Sequence, residues 1–172
     1  MSSTGAGAPA TRFLVARCDA WSLVAAGIAA DRPGVTVFGN RVQTANPAAR
    51  AAGVTVGLRR REAQARCPRL EVLDVDIDRD ARGWESVIAT LDDVTPRVEV
   101  PEPGMVAFAT RGPSRYFGGD VALAELTLDH LGADRGLSQQ VGIADGFFAA
   151  ALASRAHGER RHVVVPPGAS AD

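Results

Sequence analysis

The chain contains no lysine: all 19 of its basic residues are arginine. It therefore cannot itself supply the amine of a Schiff-base enzyme, the phosphate-binding lysine of a P-loop or a lysine-dependent polymerase site. Arginine leaves open planar, bidentate contact with phosphate. A basic excess is also missing. The arginines face 20 acidic residues, for a net charge of −1, which argues against a free-standing, strongly basic nucleic-acid binder. No apolar run approaches the roughly 20 residues of a membrane span. Cysteine is scarce. Cys18 and Cys67 make no disulfide framework, and neither sits in a CxxC or CxxH pair, so a reduced, cytoplasmic setting is expected. Residues 1–11 are rich in Ser, Gly, Ala and Pro and lack an apolar signal core, so they are expected to be a loose tail, as are residues 169–172.

What is present fits one domain with a real core: 172 residues, 46% of them hydrophobic and 23% charged. Residues 12–17 read as a buried strand and the alanine-rich residues 21–30 as a helix ended by Arg32-Pro33-Gly34. Residues 35–38 and 41–44 flank Gly39-Asn40 as a hairpin. Pro47 opens a short helix closed by Gly53, and residues 58–66 form a second, basic helix stopped by Pro68. Residues 70–73 read as strand, and Asp78 or Asp80 caps a helix running to Leu91. Strands are expected at 97–100, 105–109, 139–143 and 161–165, and helices at 121–131 and 147–155. That order suits an α+β fold, an antiparallel or mixed sheet with helices on one face, interrupted by a helical insertion over about residues 46–68.

Three constellations could carry chemistry. Asp74, Asp76, Asp78, Asp80 and Glu85 fall at positions 1, 3, 5, 7 and 12 of an EF-hand loop, the spacing that wraps oxygens around Ca²⁺. Position 6 demands glycine and is Arg79, and strand rather than helix precedes it, so a capped helix start is the competing reading. Between Arg32 and Arg69 eight arginines face the single acid Glu62. These either contact phosphates or form a solvated helix face. His130, His157 and His162 share no helical or metal-binding spacing. The turn Gly142-Ile-Ala-Asp-Gly146 precedes a helix and could hold a phosphate at its N-terminus.

Several segments, in order, resemble the Y-family translesion DNA polymerases, most closely the bacterial ImuB-type branch. They are Asn46-Pro-Ala-Ala-Arg50-Ala-Ala-Gly-Val, Gly57-Leu-Arg-Arg-Arg-Glu-Ala-Gln-Ala-Arg-Cys67-Pro68, Thr95-Pro-Arg-Val-Glu-Val100, Gly112-Pro-Ser-Arg-Tyr-Phe-Gly-Gly119, Val141-Gly-Ile-Ala-Asp-Gly146 and Phe148-Ala-Ala-Ala-Leu-Ala-Ser154. The resemblance implies a ferredoxin-like palm in two parts, residues 12–38 and 76–168, split by a fingers-like insertion at 39–75. The family's thumb and little-finger domains would follow Gly168.

It also implies a degenerate catalytic site. Nucleotidyl transfer in such enzymes uses carboxylates that hold two metal ions. The first-strand metal ligand corresponds to Arg17, while Asp19 survives. The aromatic that excludes ribonucleotides corresponds to Ser22, the second acidic pair to Gly104 and Met105, and the palm lysine to Ala151. The Tyr-x-x-Arg signature keeps only Arg50. The expected consequence is no catalytic residue, no metal and no cofactor, Mg²⁺ binding having been lost. Arg50, Arg59, Arg60, Arg61 and Arg66 remain as candidates for nucleotide or DNA phosphate. The function implied is that of a non-catalytic scaffold or adaptor in damage-induced (SOS) mutagenic translesion synthesis, acting in the cytoplasm at the nucleoid. Its implied partners are DNA, an error-prone C-family replicative polymerase, a RecA-like accessory protein and the sliding clamp. Two alternatives are an active polymerase with a rearranged metal site and a nucleotide- or Ca²⁺-binding regulatory module.

Overall fold

The computed structural model describes residues 10–132, 138–156 and 161–170. His157 and most of the two expected tails lie outside them. Among the described residues no helix is long and apolar enough to cross a membrane.

Two sheets organise the chain. The first has the order β5-β6-β1-β7-β8, with β1 (Arg12–Cys18) at its centre. β1 pairs antiparallel with β6 (Met105–Ala109) on one side and β7 (Gln139–Asp145) on the other. β5 (Glu99–Glu102) forms a hairpin with β6, and β8 (His162–Val164) runs parallel to β7. Strand alternation divides the side chains between two faces. Leu14, Ala16, Val106, Phe108, Val141 and Ile143 pack with Trp84, Val87 and Leu91 of the α4 segment (Ile77–Ile88, continued as a 3-10 turn Ala89–Leu91) and with Leu123, Ala124 and Leu128 of α6 (Asp120–His130). Val15, Met105, Ala107 and Ala144 pack on the opposite face with Ala150 of α7 (Phe147–Ala153). The α+β class read from the sequence is the one observed. The single helical face is not, because α7 crosses the other side of β1 and β7.

The second sheet has the order β3-β2-β4. β2 (Gly34–Phe38) and β3 (Arg41–Ala45) are antiparallel, while β4 (Glu71–Asp74) runs parallel to β2. Around it lie α2 (Pro47–Ala51) and α3 (Arg60–Arg66), over a core of Val35, Val37, Val42, Ala49, Val54 and Ala63. The insertion is thus not purely helical, and it begins at β2 rather than at residue 39. Gly39 and Asn40 both take positive φ, 55° and 64°, the two-residue turn that locks β2 to β3 as one hairpin. A boundary between residues 38 and 39 would cut through that hairpin.

The entry to α2 is fixed by one buried side chain. Asn46 Oδ1 accepts from the N–H groups of Ala49 (2.9 Å) and Gly34 (3.1 Å), and its Nδ2 donates to the Arg32 carbonyl at 2.7 Å. The first bond caps the helix and the other two staple it to β2 and the segment before it. Asn46→Ala should lower stability by about 2 kcal/mol, since it removes the cap and strands buried polar groups. A urea-denaturation midpoint unchanged from wild type would refute this.

At the other end of β1, Arg12 donates to Asp120 (2.7 Å) and Asp145 (2.8 Å), tying the strand to α6 and to the end of β7. The Gly168 N–H, at 2.6 Å, and then the Arg12 guanidinium hold the Asp145 carboxyl below its ordinary range. This tie is present above the usual carboxylate range and is lost as pH falls through the lowered value.

Candidate functional site

The C-terminal end of β1 is where the sequence-singled positions meet. Arg17 stands opposite Met105 on one neighbouring strand and Gln140 on the other. The next N–H, of Cys18, donates to the Gly104 carbonyl at 2.8 Å, and that of Asp19 donates to Ser138 at 2.9 Å. Ala20 then takes a left-handed conformation, φ 51°, and turns the chain into α1 (Trp21–Ala25). This helix is shorter than the expected 21–30 because the chain leaves it at Gly27, φ 78°. Arg17, Asp19 and Gly104 therefore lie within a few residues of one another across two strands, and Ser22 lines the same cleft.

Gly104 is fixed by space as well as by backbone. Its φ is 91°, and a Cβ built on it would lie 2.6 Å from Trp21 Cβ. No side chain fits there without displacing Trp21. Trp21 is itself anchored: its indole N–H donates to the Asp80 carbonyl at 2.8 Å, and its ring meets Trp84 edge-on at 4.9 Å. Met105, 6% exposed, turns to the α7 face. There it lines an apolar groove of about 290 Å³ with Pro101, Phe147, Phe148, Ala151 and Leu152.

Two carboxylates approach the strand end, and both face guanidinium groups. Asp19 is bound in a two-pronged ion pair by Arg50, which projects from α2 and also donates to the Ala45 carbonyl at 2.6 Å. Glu102 Oε1 lies 3.9 Å from Arg17 Nη1, too far for a hydrogen bond. That Nη1 is sealed from solvent without a hydrogen-bond partner among the described residues. The space between the two sheets opens as a cleft of about 830 Å³ lined by Arg17, Asp19, Arg50, Gln140, Ser154 and Arg155. It adjoins a smaller one of about 360 Å³ that reaches Ser22, Glu102 and Gly104.

The remaining arginine candidates lie elsewhere. Arg59, Arg60 and Arg61 are exposed at the start of α3 and do not line either cleft. Arg66 is engaged within the insertion, donating to Glu62 and to the Gly53 carbonyl, both at 2.8 Å. The acidic run resolves into a helix start. Asp76, rather than Asp78 or Asp80, is the cap of α4, accepting from the Arg79 N–H at 2.9 Å. Asp80 is buried and held by Arg79 at 2.8 Å. Among the described residues no three His, Cys, Asp or Glu side chains gather as a metal cage. His130 Nδ1 is bonded to the Thr90 carbonyl at 2.8 Å, and His162 lies in β8. Gly142 serves packing: α7 passes so close over it that a Cβ would lie 2.2 Å from the Ala150 carbonyl oxygen.

Sequence reasoning missed Gln140, Ser154 and Arg155 as cleft residues. The available signal was the strand at 139–143. Once it pairs antiparallel with β1, Gln140 falls beside Arg17, and the helix that follows brings Ser154 and Arg155 over it.

Cys18, 5% exposed, sits next to this site without serving it. Burial, with the Asp19 carboxylate beside it, pushes its thiol up to about 12, so almost no thiolate exists at neutral pH. A disulfide reagent at pH 7.5 should titrate little thiol until denaturant is added. Rapid stoichiometric reaction of native Cys18 would contradict this.

Residues 22–155 match the model of the impB/mucB/samB family. DNA polymerase IV 2 of Mesorhizobium japonicum is 32% identical over 142 residues, covering 80% of this chain and 33% of the relative. The chain thus spans about a third of that relative's length. Among solved structures, a post-insertion binary complex of Dbh DNA polymerase superposes with a TM-score of 0.76 at 16% identity, over 92% of this chain and 49% of that one. DinB from Sulfolobus solfataricus gives 0.70 at 17% identity, over 91% and 48%. A Y-family DNA polymerase chimera of Dbh and Dpo4 gives 0.72 at 16%, over 91% and 49%. Family match and fold agree: the chain belongs to the impB/mucB/samB family and has the palm-and-fingers fold of the Y-family polymerases.

Proposed function

We propose that this chain is the catalytically inactive palm-and-fingers core of an ImuB-type protein, a non-catalytic scaffold in damage-induced translesion DNA synthesis. The observation that carries the reading is the occupation of the strand end. The position of the first-strand metal ligand is the guanidinium of Arg17, Gly104 has no room for a carboxylate, and Met105 presents a thioether to an apolar groove. Two-metal catalysis needs acids that clamp both ions. The two carboxylates near the site, Asp19 and Glu102, are each faced by an arginine, so the residues present do not fit that metal pair. Asp76, engaged as a helix cap, gives the Ca²⁺-module alternative no support.

On this reading DNA contact is weak and reaches the damage site through partners: an error-prone C-family polymerase, a RecA-like protein and the sliding clamp. The test is affinity capture of the full-length protein from DNA-damaged cells. Recovery of replication proteins with it is expected, and their consistent absence would remove the scaffold role.

A second reading has one observation in its favour. Glu102 and Asp19 line the same small cleft, and displacement of Arg17 and Arg50 from them would leave a two-carboxylate site. An active polymerase with that rearranged site predicts Mg²⁺-dependent primer extension abolished by Asp19→Ala and by Glu102→Ala.

A further inference from the structure

The segment Gly112-Pro-Ser-Arg-Tyr-Phe-Gly-Gly119 takes no part in the strand-end site. It folds as α5 (Arg111–Phe117) and a Gly118-Gly119 corner, both glycines at positive φ. The helix starts where the Thr110 N–H donates to the Arg12 carbonyl at 3.0 Å, the end of β1 remote from Arg17. Seven residues do not hold a helix alone, and no side chain of α5 is buried. Its C-terminal half is clamped instead. The Ser114 hydroxyl donates to Asp120, the Gly119 N–H donates to the Ser114 carbonyl at 2.7 Å, and Phe117 packs against the core that α6 shares. The clamp holds Tyr116 outward, 83% exposed, with its ring edge-on to Phe117 at 4.8 Å. A large aromatic displayed at a fixed place is the kind of side chain that anchors protein interfaces.

The charges around it are sorted by sign. α6 turns Leu123, Ala124 and Leu128 to the core, and its outward stripe, at a spacing of four, is Val121, Glu125 and Asp129, all exposed. Arg111 and Arg115 stand exposed one turn apart on α5. None of these four charged side chains makes a hydrogen bond or ion pair among the described residues. Like charges at that spacing repel, so each helix carries an unrelieved pair, positive on α5 and negative on α6. Tyr116 and Val121 lie between the two pairs, across the glycine corner. The face is therefore basic at one end, apolar in the middle and acidic at the other, with no net charge. A nucleic-acid backbone would bring its phosphates against Glu125 and Asp129. A second copy of the chain has no such conflict, because a two-fold contact joins a patch to itself and needs that patch to be self-complementary.

We propose that the α5–α6 face is a homodimer contact, two-fold symmetric about Tyr116 and Val121. Arg111 and Arg115 of one protomer meet Glu125 and Asp129 of its partner, and the reverse, while the two tyrosines pack at the axis. Each like-charge pair is thereby relieved by the opposite pair of the other copy. The face lies on the α6 side of the first sheet, away from α7 and its apolar groove, so the contact leaves the strand-end site open and does not depend on whether that site is active. Six side chains a side make a contact smaller than the roughly 1,600 Å² of a standard interface. The dimer is accordingly weak and concentration-dependent.

The experiment is sedimentation equilibrium of the chain from about 5 µM to about 500 µM, a span that covers weak association. The weight-average mass should rise from the 17.9 kDa of one chain toward twice that value. Tyr116→Ala should weaken the dimer roughly tenfold or more, as loss of an interface anchor does. The double variant Arg111→Glu/Arg115→Glu should stay monomeric throughout, and so should Glu125→Arg/Asp129→Arg. Mixed in equal amounts, the two double variants should dimerise again, because every charge pair across the two-fold is restored with its sign reversed. Thermal melts should show all variants folded, since each change is on an exposed side chain. A wild-type mass that stays at one chain up to the highest concentration overturns the proposal. A dimer that persists in the folded Tyr116→Ala and Arg111→Glu/Arg115→Glu variants overturns the assignment to this face, and failure of the mixture to dimerise overturns the two-fold arrangement. A wild type that is monomeric yet binds a single-stranded oligonucleotide, with binding lost in Arg111→Glu/Arg115→Glu, overturns the dimer in favour of nucleic acid.

Discussion

Trp84→Ala will lower the stability of the chain by about 4 kcal/mol, the upper range for truncating a fully buried aromatic. Trp84 is 1% exposed, its indole N–H donates to the Met105 carbonyl at 3.2 Å, and its ring packs edge-on against Trp21. Truncation therefore opens a cavity between α4 and the first sheet and leaves the Met105 carbonyl without its donor. The consequence extends to the site, because Trp21 is the side chain that fills the space over Gly104. Chemical denaturation should show a large drop in the midpoint at an unchanged slope. A loss below about 1 kcal/mol would mean that the α4 face contributes far less packing than its burial indicates.

Gly142→Ala is the second large effect, and it comes from one methyl group. An added Cβ would lie 2.2 Å from the Ala150 carbonyl oxygen, 2.3 Å from the Ser154 nitrogen and 2.8 Å from the Ala153 carbonyl carbon. All three are backbone atoms, so no rotamer change relieves the clash and α7 must lift from β7. The expected loss is about 3 kcal/mol, the cost of overpacking where neighbours cannot yield. It should be larger than that of Gly112→Ala, where a Cβ meets nothing within 4 Å. Equal stability of the two variants would contradict the close crossing of α7. The functional reach of Gly142 is that α7 carries Ala151 to the apolar groove and places Ser154 and Arg155 on the cleft wall.

Some of this architecture was legible because local chemistry determines it. Gly39-Asn40 can form a two-residue turn between apolar alternations, and Asn46-Pro47 can start a helix, whatever surrounds them. Other features were not. α5 (Arg111–Phe117) has no counterpart among the expected elements, because Gly112 and Pro113 are poor helix formers, yet Pro113 stands in the first turn, where a missing N–H costs little. The sheet to which β2 belongs depends on β4, more than 30 residues away, and no local pattern encodes that pairing. The cap of α4 shifted to Asp76 because three aspartates at alternate positions offer nearly equivalent starts.

The candidate site divides in the same way. That Arg17, Asp19 and Gly104 meet followed from the resemblance and the strand order. The pairing of Asp19 with Arg50 did not, since it spans 31 residues between two sheets. Nor did the steric reason for glycine at position 104, which lies in the Cβ of Trp21 rather than in any neighbour in sequence. The lysine-free composition also changes its meaning at one place. Codon preference for arginine would put arginine where the resemblance expects lysine, yet position 151 is alanine and lines an apolar groove.

The most direct measurement of the central claim is primer extension by the full-length protein on undamaged and lesion-bearing templates, with Mg²⁺ and with Mn²⁺, beside an active homologue. The account predicts no incorporation with either ion. Template-directed extension that depends on the metal and disappears in Asp19→Ala or Glu102→Ala would contradict it and establish a working site at the end of β1.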